Sequence, residues 1–150
     1  MSTDQIINLL PYRSPFLFVD ELAEVTDESA IGYYTYPEDA YFYEGHFKDY
    51  PVTPGVLLAE TMAQIGLVCL GIHLLAQQLT NTDEAPAIAL SSQAVDYFLP
   101  VYPGERVRVV SQKQYFRFKK LKCQVSMYNA KDELVCKGTM AGMLTTKLKT

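Results

Sequence analysis

The chain has 150 residues, 49% of them apolar and 20% charged, with a formal net charge of −4. That length suits one domain, residues 1–150, with a real hydrophobic core, and the composition excludes intrinsic disorder. The acidic balance argues against nucleic acid as a partner, because such proteins present a basic face.

The N-terminus reads MSTDQIINLLPYRSPF and lacks a basic stretch followed by an apolar run, so no signal peptide is expected. Residues 4–10 form a short amphipathic start that ends at Pro11. Residues 16–25 read as a strand, and residues 29–36, with Ile31, Tyr33, Tyr34 and Tyr36, as its hairpin partner. Residues 37–54 mix Pro, Gly, Asp and aromatics and predict an irregular, ordered segment. Thr53-Pro54-Gly55 signals a helix start, with Thr53 as N-cap and Pro54 at the first helical position. Residues 56–79 are the long helical candidate, apolar on every side, which implies burial or a membrane span. Glu60, Gln64, His73, Gln77 and Gln78 interrupt the run and no basic flank anchors it, so burial is expected and a membrane is not.

Strands are then expected over 87–98, 106–118, 121–128 and 133–144. Pro100, Pro103 and Gly104 break the first from the second, and Asn129-Ala130-Lys131-Asp132 is turn chemistry between the last two. Leu134, Cys136, Met140 and Leu144 can share one face. One buried helix with five or six antiparallel strands is an α+β inventory, and its compact solution is a sheet curled around the helix. Cys69, Cys123 and Cys136 have neither metal-ligand spacing nor an even count, so neither a metal site nor a disulfide framework is expected, and a cytoplasmic setting is.

Three residues stand out chemically. Glu60 is a lone carboxylate one turn into an apolar helix, where burial would raise its pKa; its structural alternative is an exposed anion at the helix dipole. His46, in Tyr43-Glu44-Gly45-His46-Phe47, is suited to proton transfer near neutral pH, and Gly45 would permit an unusual backbone angle or a close substrate approach. Gly55 opens the helix, where free N–H groups can polarise a carbonyl and stabilise enolate-like charge. The other histidine, His73, reads as a satisfied core or interface residue.

The run from Glu44 through Gly45-His46-Phe47 and Pro51-Val52-Thr53-Pro54-Gly55 to Glu60-Thr61-Met62-Ala63-Gln64 resembles the active-site signature of FabZ-type 3-hydroxyacyl-[acyl carrier protein] dehydratases. Leu9-Leu10-Pro11-Tyr12-Arg13-Ser14-Pro15-Phe16-Leu17-Phe18-Val19-Asp20 resembles that family's N-terminal block, and Asp96-Tyr97-Phe98-Leu99-Pro100-Val101-Tyr102-Pro103-Gly104-Glu105 a later one. Lys48 stands where the family has proline, and Tyr12 where it has histidine. The resemblance implies a hotdog fold, an antiparallel sheet wrapped around one long helix. It implies a homodimer with active sites shared across the interface, assembling further into a trimer of dimers. It also implies dehydration of a (3R)-3-hydroxyacyl thioester on acyl carrier protein to the trans-2-enoyl thioester, with no metal or redox cofactor, the acyl chain riding on a phosphopantetheine arm. The pathway would be fatty-acid or related polyketide or aryl-polyene synthesis. His46 would be the base, Glu60 the acid, and Gly55 the carbonyl-binding amide, with Gln64, Gly45 and Phe47 in support.

Arg117, Lys119, Lys120 and Lys122, with Lys113, form a local basic stretch that could steer an acidic carrier protein; the alternative is an edge strand guarded by lysines. Strand alternation would put Arg117 and Lys119 on one face and Lys120 on the other. The competing functions are a hotdog acyl-thioesterase and a non-catalytic partner subunit of a dehydratase heterodimer.

Overall fold

The computed structural model of the chain describes residues 1–78 and 85–147. Helix α1 (Thr3–Leu9) is opened by a capping box between Ser2 and Gln5. Strands β1 (Glu21–Val25) and β2 (Ser29–Thr35) form a hairpin, followed by a short 3₁₀ turn at Tyr41–Glu44. Helix α2 (Gly55–Ala76) is followed by β3 (Ala85–Tyr97), β4 (Arg106–Arg117), β5 (Lys120–Tyr128) and β6 (Leu134–Lys147). The strands make one antiparallel sheet of six, in the order β1-β2-β4-β5-β6-β3.

The sheet wraps α2, which is the hotdog arrangement. By length and hydropathy α2 could cross a membrane, but 78% of its most apolar window is buried inside the protein. Alternation supplies the opposing surface: Leu121, Cys123, Val125 and Met127 of β5 are all fully buried, as are Val107 and Val109 of β4. The helix lies so close to the sheet that a Cβ on Gly66 would come within 2.9 Å of the Val125 side chain. Gly66 is in the middle of α2, where residues Ala63–Cys69 widen into a π-helical stretch. The Gly66 carbonyl accepts a hydrogen bond from the buried Ser111 hydroxyl at 2.8 Å, so the sheet satisfies a helix group at the irregularity. The three cysteines are free and buried.

Four expectations need correction. The strand expected from residue 16 begins at Glu21, because the Phe18 amide bonds the Gln64 side chain and not a neighbouring strand. Thr53 is not a helix cap: its hydroxyl pairs with the Tyr43 hydroxyl at 2.6 Å, and Pro54 occupies the cap position without a side-chain bond. The helix ends at Ala76 and not near residue 79, which lies outside the described residues. Strand alternation does not hold through residues 117–120, since Phe118 and Lys119 have φ of 50° and 59° and form the two-residue turn of the β4–β5 hairpin.

Candidate active site

Glu60 projects from the second turn of α2 and is half-buried. Burial pushes its pKa up, against a smaller lowering by the hydrogen bond from Gln64. That bond, from Gln64 Nε2 to Glu60 Oε2, is 2.9 Å long. Gln64 itself is fully buried, and its orientation is set by its other partners. Its amide oxygen accepts from the Phe18 N–H at 2.8 Å, so the NH₂ end must face Glu60 and the Phe16 carbonyl, 3.1 Å away. A donor at Oε2 means that a proton on Glu60 belongs on Oε1, the oxygen left open. Tyr12 packs nearby, its phenol pushed up to about 12 by burial first and by the Glu60 charge second.

His46 follows the 3₁₀ turn, and its Nδ1 lies 2.8 Å from the Val52 carbonyl. A carbonyl only accepts, so Nδ1 carries the hydrogen and Nε2 keeps its lone pair as a base. The ring stacks on Phe47 at 4.6 Å between centroids. Phe47 is the residue with the left-handed backbone, at φ 60°, whereas Gly45 has an ordinary φ of −114°. The unusual angle expected at Gly45 therefore lies two positions later, at Phe47, and a Cβ at Gly45 would meet nothing within 4 Å. The Tyr43–Thr53 hydroxyl pair ties the histidine loop to the helix start, and the bond from the Thr53 N–H to the Val101 carbonyl, 2.8 Å, ties the helix start to the segment after β3.

At Gly55 the helix opens with the Leu57 and Leu58 amides both bonding the Pro54 carbonyl. Among the described residues, the Gly55 and Val56 amides are left without an acceptor. They are the N–H groups available to a substrate oxygen. The chain thus brings together Glu60 with Gln64, and His46 with Phe47 and the loop to Gly55. No hydrogen bond joins His46 to Glu60 among the described residues. Arg117, Lys119, Lys120 and Lys122 make no ion pair among the described residues, whereas Lys113 is 3.2 Å from Glu28. His73 is satisfied by Asp27 at 2.9 Å. No group of three or more His, Cys, Asp or Glu suited to a metal ion occurs among the described residues.

Two contacts of the site are not foreshadowed by the sequence. Residues 16–18 hold Gln64 through their backbone, so the side chains of the N-terminal block do not announce the contact. Tyr97, at the end of β3, donates its hydroxyl to the Gly55 carbonyl at 3.0 Å across 42 positions of sequence. Its place in the family-like block from Asp96 to Glu105 marked the residue but not this bond.

Residues 10–141 match the FabA-like domain family. A 3-hydroxyacyl-[acyl-carrier-protein] dehydratase FabZ from Clostridium perfringens is 43% identical over 70 residues, which is 47% of this chain and 50% of the relative. The chain thus spans about half the length of the curated relatives that it matches at highest identity. The FabZ of Sinorhizobium medicae is 33% identical over 147 residues, covering 95% of this chain and 89% of that one. Among solved structures, the dehydratase heterocomplex ApeI:P from Xenorhabdus doucetiae superposes with a TM-score of 0.76 at 17% identity, covering 95% of this chain and 91% of that one. A thioesterase superfamily member from Thermus thermophilus superposes with a TM-score of 0.61 at 16% identity, covering 83% and 87%. At those identities the two structures speak to the fold.

Proposed function

The chain belongs to the FabA-like family, and on that footing we propose that it dehydrates a 3-hydroxyacyl thioester carried by acyl carrier protein to the trans-2-enoyl thioester. The observation that carries the reading is the Gln64 clamp. A carboxyl whose pKa is raised by burial and whose second oxygen accepts a fixed donor is suited to act as an acid.

In this mechanism the thioester carbonyl oxygen accepts from the Gly55 amide, which acidifies the C2 hydrogen and stabilises developing enolate charge. His46 Nε2 takes that hydrogen as a proton. The C2–H electron pair becomes the C2=C3 bond, the C3–O bond breaks, and Glu60 Oε1 donates its proton so that the hydroxyl leaves as water. The imidazolium then returns a proton to the Glu60 carboxylate. Electrons and atoms balance without an oxidant, so the step calls for no redox group. Gly45 and Phe47 hold the histidine, Phe47 through ring stacking.

The acid and the base meet in a homodimer. β3 is thirteen residues long, sits at the sheet edge, and contains no lysine or arginine to guard it. Residues 89–94 of it are exposed, as is an apolar group at the helix start: Val56 (76%), Phe47 (61%) and Phe98 (52%). Pairing of β3 with its copy would cover both and set His46 of one protomer against Glu60 of the other, with further assembly to a trimer of dimers. Arg117, Lys119, Lys120 and Lys122 would receive the acidic carrier in the cytoplasm.

The test is incubation with a 3-hydroxyacyl carrier protein, following loss of water by mass. Dehydration by the wild type, cut at least about a hundredfold by His46→Ala and by Glu60→Gln, is expected. Release of free acid would instead identify a thioesterase. No turnover without a second, different hotdog chain would identify a heterodimer subunit.

A further inference from the structure

Tyr97 is placed oddly for a tyrosine at the end of an edge strand. Its hydroxyl donates to the Gly55 carbonyl at 3.0 Å, while its ring occupies the space beside Gly55 where a side chain would project. A Cβ built at Gly55 would meet three atoms of that one ring, the nearest at 3.3 Å. Strand and helix start are therefore in contact through one side chain, over a residue with none. The strand end is itself rigid: Tyr97 pairs with Cys136 of β6, and the Phe98 and Leu99 amides both bond the Val135 carbonyl. Burial also raises the Tyr97 pKa, which keeps the phenol a donor at working pH.

The contact falls on the peptide that carries the second free amide of the helix start, next to the Gly55 N–H. The Gly55 carbonyl and the Val56 N–H belong to a single planar unit. A bond to the carbonyl fixes that plane, and it also polarises the unit so that its N–H becomes a stronger donor. One of the two free amides of the helix start, the Val56 N–H, is thus held by this tyrosine. Leu57 and Leu58 need no such help, because Pro54 already accepts their hydrogens.

We propose that Tyr97 is a positioning residue for the reaction, clamping the Gly55–Val56 peptide so that the Val56 amide meets the substrate oxygen beside the Gly55 amide in the charge-developing step. The proposal rests on the dehydration reading for its kinetic test, but not for its spectroscopic one. An amide held in register favours the transition state, in which the oxygen carries more charge, over the bound ground state. Loss of the clamp therefore lowers kcat and leaves KM in place.

Tyr97→Phe removes one oxygen and retains the ring. The expected result is a fall in kcat of roughly threefold to tenfold, the range that one neutral hydrogen bond supplies, with KM within about twofold. The plateau of the pH–rate profile drops without movement of its limbs, because the clamp does not titrate. In the backbone amide spectrum of the protein, the Val56 resonance shifts while those of Gln64 and Ser111 stay. An unchanged Val56 resonance, an unchanged kcat, or a loss confined to KM would overturn the proposal. A shifted Val56 resonance in a protein whose wild type does not dehydrate its substrate would leave the clamp standing and sink the dehydration reading. Should Tyr97→Phe fold poorly, the resonances of Gln64 and Ser111 move too, and that outcome also counts against a clamp confined to this peptide.

Discussion

At the scale of single residues, Glu60 is held in a state that costs the fold something. Its pKa lies above the ordinary 4.5 because burial disfavours the anion more than the Gln64 bond favours it. The folded state therefore binds a proton more tightly than the unfolded chain does. Stability from this group is full below pH 4.5 and is lost as pH rises through the folded pKa. Glu60→Gln, which keeps an acceptor for the Gln64 NH₂, is expected to melt higher than the wild type at pH 8 and to lose that advantage on acidification, as followed by thermal unfolding across pH. With Glu60 as the proposed acid, the same sign is expected to make activity fall on the alkaline side, where Glu60 loses its proton. Glu60 was legible as an anomaly in an apolar helix, and Gln64 as its neighbour one turn on. The orientation of Gln64 was not legible, because the groups that decide it are the backbone of Phe16 and Phe18, about fifty positions away and invisible to any side-chain pattern. His46 shows the same division: its type suggests a base, whereas the Val52 carbonyl decides which nitrogen is free.

Among elements, α2 and the β4–β5 hairpin carry the clearest consequences. The π-helical stretch of α2 brings the Gly66 backbone onto Val125 and Ser111, with no room for a methyl group. Gly66→Ala gains helix propensity but overpacks the sheet, so a net loss of about 1–2 kcal/mol is expected, readable as a lower melting temperature. The long helix was evident from its run of apolar residues. Its widened middle was not, because it answers to a serine on a strand that pairs elsewhere in the sequence. The hairpin tip departs from strand alternation for a local reason, two consecutive left-handed residues, neither of them glycine. The turn leaves Phe118 93% exposed between Arg117 and Lys119. If the tip receives an acidic carrier, Lys119→Glu with Lys120→Glu raises KM for the carrier-bound substrate, and by less at high salt, where steering by surface charge is screened. A small-molecule thioester substrate would show no such change.

For the whole molecule, the sheet edge is the feature with most at stake. A long strand without lysine guards is an open template for pairing, which natural proteins seldom leave uncovered. Sedimentation is expected to find at least a dimer. Leu90→Lys combined with Ala94→Lys, placing charge on exposed positions of β3, is expected to shift it toward monomer and to remove most activity while the far-ultraviolet spectrum of the fold stays. By itself the sequence determined the inventory: one apolar helix, strands with period two on β5, and the spacing from His46 through Gly55 to Glu60, because all of these are written in local chemistry and short-range periodicity. Only the tertiary structure decided where β1 begins, what Thr53 bonds, which end of Gln64 faces Glu60, and that Tyr97 reaches Gly55. Each of these is a competition for a backbone or hydroxyl hydrogen-bonding group, and the winner is whichever partner the folded chain brings within reach.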